Sequence, residues 1–231
     1  MTDDKQIEEV LALLHGPMEP LDHELALHMQ DGPLGPAIKH PLVCDLFAPP
    51  GFYSILNERL RFKKESVAKA IEDKRWEAAV WLHEKPFRAD ALAKIARESI
   101  LTDRQYWELV GAVWTNTENA WECASVWRHL WGSSRPMRGN AMSEEDHHAL
   151  RVEMGDELTI YRGHDASYAD SEFGLSWTLS YDKAVWFAGR FGAAAPSVVK
   201  GTVNTDDVLA FFTNRGEQEI VVFPESVKDM Q

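Results

Sequence analysis

The residues with the most chemistry in this chain stand near its end. Glu217 and Glu219 flank Gln218 at the entry to the apolar run Ile220-Val221-Val222-Phe223. In an extended chain, residues two apart point to the same side, so this spacing predicts two carboxylates facing one pocket. Carboxylates held together repel, and such a pair calls for a compensating cation or a functional reason. Arg162, in Tyr161-Arg162-Gly163 at the end of a strand-like run, is the natural cation to face them or their ligand. Its charge would be costly to bury without an anionic partner. A third feature, Gly174-Leu175-Ser176-Trp177-Thr178, leads into a capped helix.

Each feature alone has an ordinary reading. An Arg-Gly at a strand end is a solvated turn, a Ser-x-Thr before a helix is a capping element, and a Glu-x-Glu is an exposed strand edge. Their order and spacing together carry the signal. Other candidates are weaker. His164 reads as a turn histidine, and His147-His148 on a charged helix lacks the acidic or cysteine partners of a metal site. Gly189-Arg190-Phe191-Gly192 lacks the lysine and spacing of a phosphate loop. No Ser-His-Asp arrangement can be argued, and no metal is expected.

The order of the three features resembles the Arg–Ser–Glu class of ADP-ribosyltransferases, which includes arginine-modifying toxins and bacteriophage enzymes. That family carries an aromatic-Arg-Gly strand, a Ser-Thr-Ser strand followed by a helix, and a Glu-x-Glu or Gln-x-Glu entering a late strand. Tyr161-Arg162-Gly163, Ser176-Trp177-Thr178 and Glu217-Gln218-Glu219 match in that order, within roughly 157 to 223. Trp177 stands where the family often has threonine; its indole would either pack in the core or wall the nicotinamide pocket.

The resemblance implies an enzyme that takes NAD as substrate, breaks the nicotinamide–ribose bond through an oxocarbenium-like state, and transfers ADP-ribose to an acceptor. It implies that Glu219 stabilises the developing charge and that Glu217 orients and deprotonates the acceptor. Arg162 would hold an NAD phosphate or ribose, and Ser176 would fix the rotamer of Glu219. Tyr161, Gly163 and Thr178 complete the NAD-binding set, with Gly163 letting backbone approach the carboxamide. The segment 211 to 216 would meet the acceptor. With both positions of the Glu-x-Glu acidic, the first acceptor to expect is an arginine on a protein. The alternatives are a base of RNA or DNA, or a non-catalytic module that binds NAD or ADP-ribose. A toxin of this kind would have an inhibitor or antitoxin partner.

Elements must hold these residues. The C-terminal third reads as strands at 157–162, 175–178, 197–203, 208–212 and 218–223, with a helix at 181–191 capped by Ser180. Before it the periodicity is helical, over 54–72, 74–84, 88–98, 103–116 and 118–131, then 144–151 behind Ser143. Thr102 reads as the N-cap of its helix. Trp107, Trp114 and Trp121 recur every seven residues, and with Trp127 and Trp131 they read as core packing. A helix is expected over 5–15, followed by a Pro- and Gly-rich irregular arm at 16–51 with short helical pieces such as 22–30. Helices first and strands last predict an α+β protein. The expected organisation is a helical region with its arm at 1–150, then a compact, β-sandwich-like ADP-ribosyltransferase core at 151–231.

Composition narrows the class. The 231 residues, 45% hydrophobic and 26% charged, suit a globular chain with a real core. The net charge of −13 argues against a general nucleic-acid binder and against docking on anionic membranes. Two cysteines, Cys44 and Cys123, outside metal-ligand spacing, suit a reducing compartment. With an acidic start and no long apolar run, the expectation is a cytoplasmic protein with no membrane partner.

Overall fold

A computed structural model of the protein describes residues 19–98, 101–153, 155–213 and 216–231. The helix expected over 5–15 lies outside the described residues, as do Asn214 and Arg215. The chain is mixed helix and sheet, an α+β protein. It divides into two units, 1–91 and 92–231.

In the first unit, part of the irregular arm expected at 16–51, of which positions 16–18 lie outside the described residues, is a small antiparallel sheet spanning 29–45. Its strands are β1 (Met29–Gly32), β2 (Gly35–His40) and β3 (Val43–Asp45), in the order β1-β2-β3. The helical piece expected at 22–30 shrinks to α1 (His23–Ala26), capped by Asp22 through the Glu24 N–H at 2.8 Å. The prolines explain the difference: Pro33 and Pro41 sit in the turns between strands, where a fixed φ helps, rather than breaking the strands. Helix α2 (Tyr53–Glu72) buries Leu56 and Leu60 with Leu25, Ile38 and Val43. Two further helices follow, α3 (Trp76–Trp81) and α4 (Arg88–Glu98), the latter running past position 91.

The second unit joins four strongly buried tryptophans to a sheet. Helix α5 (Asp103–Thr115) begins at a capping box, in which Thr102 and Gln105 bond reciprocally. It buries Trp107 and Trp114 against Trp127 and Trp131 of α6 (Ala124–Trp131). Trp121 does not join them and is 71% exposed. The helix ends at Thr115 and the chain resumes as a 3-10 turn at Ala120–Cys123, so the seven-residue spacing crosses a break and loses its face. Helix α7 (Glu144–Glu153) follows, behind Ser143 as expected.

Five strands then form one wholly antiparallel sheet: β4 (Glu157–Asp165), β5 (Ser176–Thr178), β6 (Pro196–Asn204), β7 (Ala210–Phe212) and β8 (Glu219–Val221). Their order is β6-β4-β5-β8-β7. Among the described residues of this unit the strands make this single sheet, not the two facing layers of a sandwich. Helices take the place of the second layer. On one face, Leu158, Ile160, Trp177, Phe211 and Ile220 pack with Ala149 and Leu150 of α7. On the other, helix α8 (Tyr181–Ala188) lies on β4, and Trp131 touches Phe212 of β7, with ring centroids 6.5 Å apart.

The unit boundary at 91/92 therefore differs from the division expected at 150/151. The tryptophan helices do not stand apart from the sheet; they supply its cover. Trp131 meets Phe212, Arg128 pairs with Glu225, and Asp146 bonds Thr213. Among the described residues, no helix is long and apolar enough to cross a membrane.

Candidate functional site

The ladder of the sheet sets the site. Lys200, Tyr161, Thr178, Glu219 and Phe212 are directly opposed, one from each strand in the order β6-β4-β5-β8-β7. Directly opposed residues share a face. Three of the expected site residues, Tyr161, Thr178 and Glu219, thus stand in one row. Ser176, two residues before Thr178, shares that face and is the diagonal neighbour of Glu219. Ser176 Oγ donates to Glu219 Oε1 at 2.5 Å. Helix α8 covers one end of the row, where the Tyr161 and Tyr181 rings meet edge-on at 5.5 Å, and Trp131 covers the Phe212 end. Ser176 and Glu219 lie on the two strands between.

Arg162 is adjacent in sequence to this row but leaves the strand on the other side, with Leu158 and Ile160. Its guanidinium reaches the start of β5. Nε donates to Ser171 O at 3.2 Å and an Nη to Ser176 O at 2.7 Å. Burial pushes its pKa down to about 10, while the fields of Glu219 and Glu172 work the other way. It remains a cation at neutral pH, close enough to Glu219 to be felt. The expected cation is therefore near Glu219 but leaves the sheet on the opposite side and does not face it. At least two of its five N–H donors hold the backbone of 171–176.

Gly174 makes this possible. A Cβ at that position would lie 2.2 Å from Arg162 Cζ. Gly163 answers a different need from the one expected. Its missing Cβ would lie 2.0 Å from Ala184 O, so glycine lets α8 lie directly on β4. The side without a Cβ is filled by helix backbone.

Thr178 is 4% exposed, and its hydroxyl is used within the chain. It donates to Glu217 O at 2.6 Å and accepts from Ser180 N at 3.0 Å. Leu179 N donates to Gln218 O at 3.2 Å. These bonds fasten the segment of Glu217 beside the start of α8. Glu217 and Glu219 are not related by simple strand alternation. Gln218 has φ 47°, in the left-handed region, and β8 begins only at Glu219. The same-side expectation for the two carboxylates needs an extended residue between them, and that condition is not met. Trp177 belongs to the core: it is 2% exposed, and its Nε1 donates to Gly174 O at 2.8 Å.

Two carboxylates that no motif of the sequence singles out hold the surroundings. Asp165 accepts from Ser167 Oγ and N, Ala194 N and Ala195 N at 2.7 to 3.0 Å. Those donors, Ser167 first, depress its pKa to about 2. Asp146 is 7% exposed. Its Oδ2 accepts from Ser143 N and Oγ, and its Oδ1 from Thr213 N and Oγ1, each between 2.7 and 3.1 Å. Burial works to raise its pKa, but the Ser143 and Thr213 donors outweigh it and hold the carboxyl below its ordinary value. The Ser143-x-x-Asp146 spacing is a helix-start signal legible in sequence; its reach to Thr213 is not.

The arrangement offers a carboxylate oriented by a serine hydroxyl, with a buried guanidinium nearby and a second carboxylate on an anchored segment. Compared with models of known families, with curated proteins and with solved structures, the chain matches none.

Proposed function

We propose that this protein is a mono-ADP-ribosyltransferase acting in the cytosol, where it cleaves NAD and transfers ADP-ribose to an arginine of a protein target. The observation that carries this reading is the Ser176–Glu219 hydrogen bond, made between adjacent strands with Arg162 beside them. It is the relation that the Arg–Ser–Glu resemblance implies. The three residues that meet come from motifs as far apart as 162 and 219.

On this reading the bond from nicotinamide nitrogen to ribose C1′ breaks, and its electron pair leaves with nicotinamide. The positive charge left on the ribose is stabilised by Glu219, whose rotamer Ser176 sets. A guanidino nitrogen of the acceptor then forms the new bond to C1′, and its proton passes to Glu217. Arg162 keeps Ser176 in place through the Ser176 carbonyl and contributes positive potential toward the NAD phosphates. Gly163 and Thr178 shape the strands rather than touch the nucleotide.

The test is incubation of wild type and Glu219→Gln with labelled NAD and a bacterial lysate, followed by protease or nuclease. Label transferred by wild type alone and released by protease is the expected result. Label released by nuclease moves the acceptor to RNA or DNA. No NAD consumption overturns the enzyme reading and leaves a binding module.

A further inference from the structure

Glu219 and Glu217 are held in different ways, although one residue separates them. Glu219 is a strand residue, paired with Thr178 on one side and Phe212 on the other, and bonded by Ser176. Glu217 precedes the strand. It lies after Phe212, where β7 ends, and before Glu219, where β8 begins. Two anchors hold it. At the return, Thr178 Oγ1 and Leu179 N hold the carbonyls of Glu217 and Gln218. At the departure, Asp146 Oδ1 takes both the N–H and the hydroxyl of Thr213 at 2.8 Å. Thr213 O in turn accepts from Gly216 N at 3.1 Å, one residue before Glu217.

Asp146 is the third residue of α7 and completes a capping box with Ser143, a task that uses only its Oδ2. The carboxylate is 7% exposed, so its other oxygen also needs a partner. Its second oxygen is aimed 67 residues along the chain, at the one residue that opens the Glu217 segment.

Resting on the transferase reading above, we propose that Asp146 is a positioning residue for acceptor transfer. By tethering Thr213 it sets where Glu217 stands, and so decides how NAD cleavage divides between transfer to a guanidine and loss to water. Glu219, fixed by the ladder, does not depend on the tether. Loosening it therefore spares cleavage and harms transfer. The tether is built into the fold between a helix start and a hairpin exit, and it acts without touching NAD.

Three variants separate the tether from the cap. Asp146→Asn keeps the shape but replaces one acceptor oxygen by an NH2 that cannot accept from Thr213 or Ser143. Thr213→Val removes the hydroxyl of the tether alone. Ser143→Ala removes the hydroxyl that caps α7 and donates to Asp146 Oδ2, and leaves both Thr213 bonds to Oδ1 in place. For each, nicotinamide release without acceptor and label transfer to arginine methyl ester are measured, beside melting temperature and amide exchange of the peptide 211–220. The expected result is at least a tenfold fall in the transfer-to-hydrolysis ratio for Asp146→Asn and Thr213→Val. That fall comes with faster exchange in the peptide, and Ser143→Ala keeps the wild-type ratio. Equal loss of transfer and hydrolysis, or an unchanged ratio with either tether variant, overturns the proposal. If wild type consumes no NAD, the transferase reading falls and takes the catalytic meaning of the tether with it. Exchange then still decides whether Asp146 holds the segment: unchanged exchange in both tether variants refutes the anchor itself.

Discussion

Ser176 and Glu219 are diagonal neighbours across β5 and β8, not an opposed pair: Glu219 stands opposite Thr178, while the Ser176 hydroxyl bonds it from one position along, at 2.5 Å. A diagonal bond leans the carboxylate along the sheet and restricts its rotamers, which an opposed pair need not do. That makes Ser176 a positioning residue whose loss can be measured. A hydrogen bond to a charged group contributes about 1.5–3 kcal/mol. Ser176→Ala should therefore slow NAD cleavage roughly 10- to 100-fold at about 1.4 kcal/mol per tenfold. Glu219→Gln removes the stabilising charge itself and should cost at least about 100-fold, with the melting temperature nearly unchanged. Nicotinamide release by both variants checks the order. Ser176→Ala at wild-type rate would sink the assignment.

The two site glycines should fail differently. At Gly174 an added Cβ meets the end of a long side chain, the Arg162 guanidinium, which can shift by giving up its bonds to Ser171 O and Ser176 O. At Gly163 it meets the backbone of α8 at Ala184 and Ala188, which cannot. Overpacking typically costs about 1–3 kcal/mol, occasionally more, and rigid neighbours put a site at the high end. Gly163→Ala should therefore melt clearly below Gly174→Ala. Gly174→Ala should lower the melting temperature less than Gly163→Ala and slow NAD cleavage as well, because it detaches Arg162 from Ser176 O. Thermal melts of both, with nicotinamide release, test this; Gly163→Ala as stable as wild type would mean that α8 does not rest on that position.

The sequence reading reached elements with strong local patterns and faltered where tertiary context decides. The helix at 103 was legible because Thr102 and Gln105 spell its cap. The strands around 160, 200 and 220 were legible because their β-branched and aromatic runs match a half-buried ladder. The sheet within 16–51 is not legible because prolines read as breakers of structure, whereas Pro33 and Pro41 turn its strands. Trp121 departs from the expected core because a spacing of seven holds a face only while the helix continues. At the site, order and spacing single out Ser176, Glu219 and Arg162, and hydrogen bonds link Arg162 to Ser176 and Ser176 to Glu219. Gly163, Thr178 and the Glu217–Glu219 relation were assigned from motif alone. The structure gives the first to helix packing, the second to a backbone carbonyl, and places a left-handed residue within the third. Nothing local announces that Asp146 will meet Thr213 or that Gly174 will make room for Arg162.

Asp165 gives the protein an acid-sensitive clasp. Four donors hold its carboxylate and drop its pKa from 3.8 to about 2, Ser167 contributing most. A folded-state pKa below the unfolded one adds stability that is fully present above the unfolded value and fades as pH falls through the folded value. The contribution should be intact above about pH 4 and lost between about 4 and 2. Asp165→Asn should melt lower than wild type at pH 6, and the gap should close on acidification through that window. A gap that stays constant from pH 6 to pH 2 would mean that the charge of Asp165 contributes nothing.

Arg162 decides between two pictures of the site. If its fork grips NAD directly, Arg162→Lys should weaken NAD binding and leave the fold alone. The hydrogen bonds argue otherwise. Nε and an Nη reach two carbonyls, Ser171 O and Ser176 O, from one planar group. An ammonium is a single point of charge on a different stem and cannot reproduce that fork. Losing one charge-assisted bond costs about 1.5–3 kcal/mol, so Arg162→Lys should lower the melting temperature measurably. It should also free the start of β5, shift Ser176, and reduce kcat for NAD cleavage more than it raises KM. Thermal melts and steady-state nicotinamide release separate the pictures. A variant with wild-type melting and a raised KM alone would return Arg162 to the nucleotide.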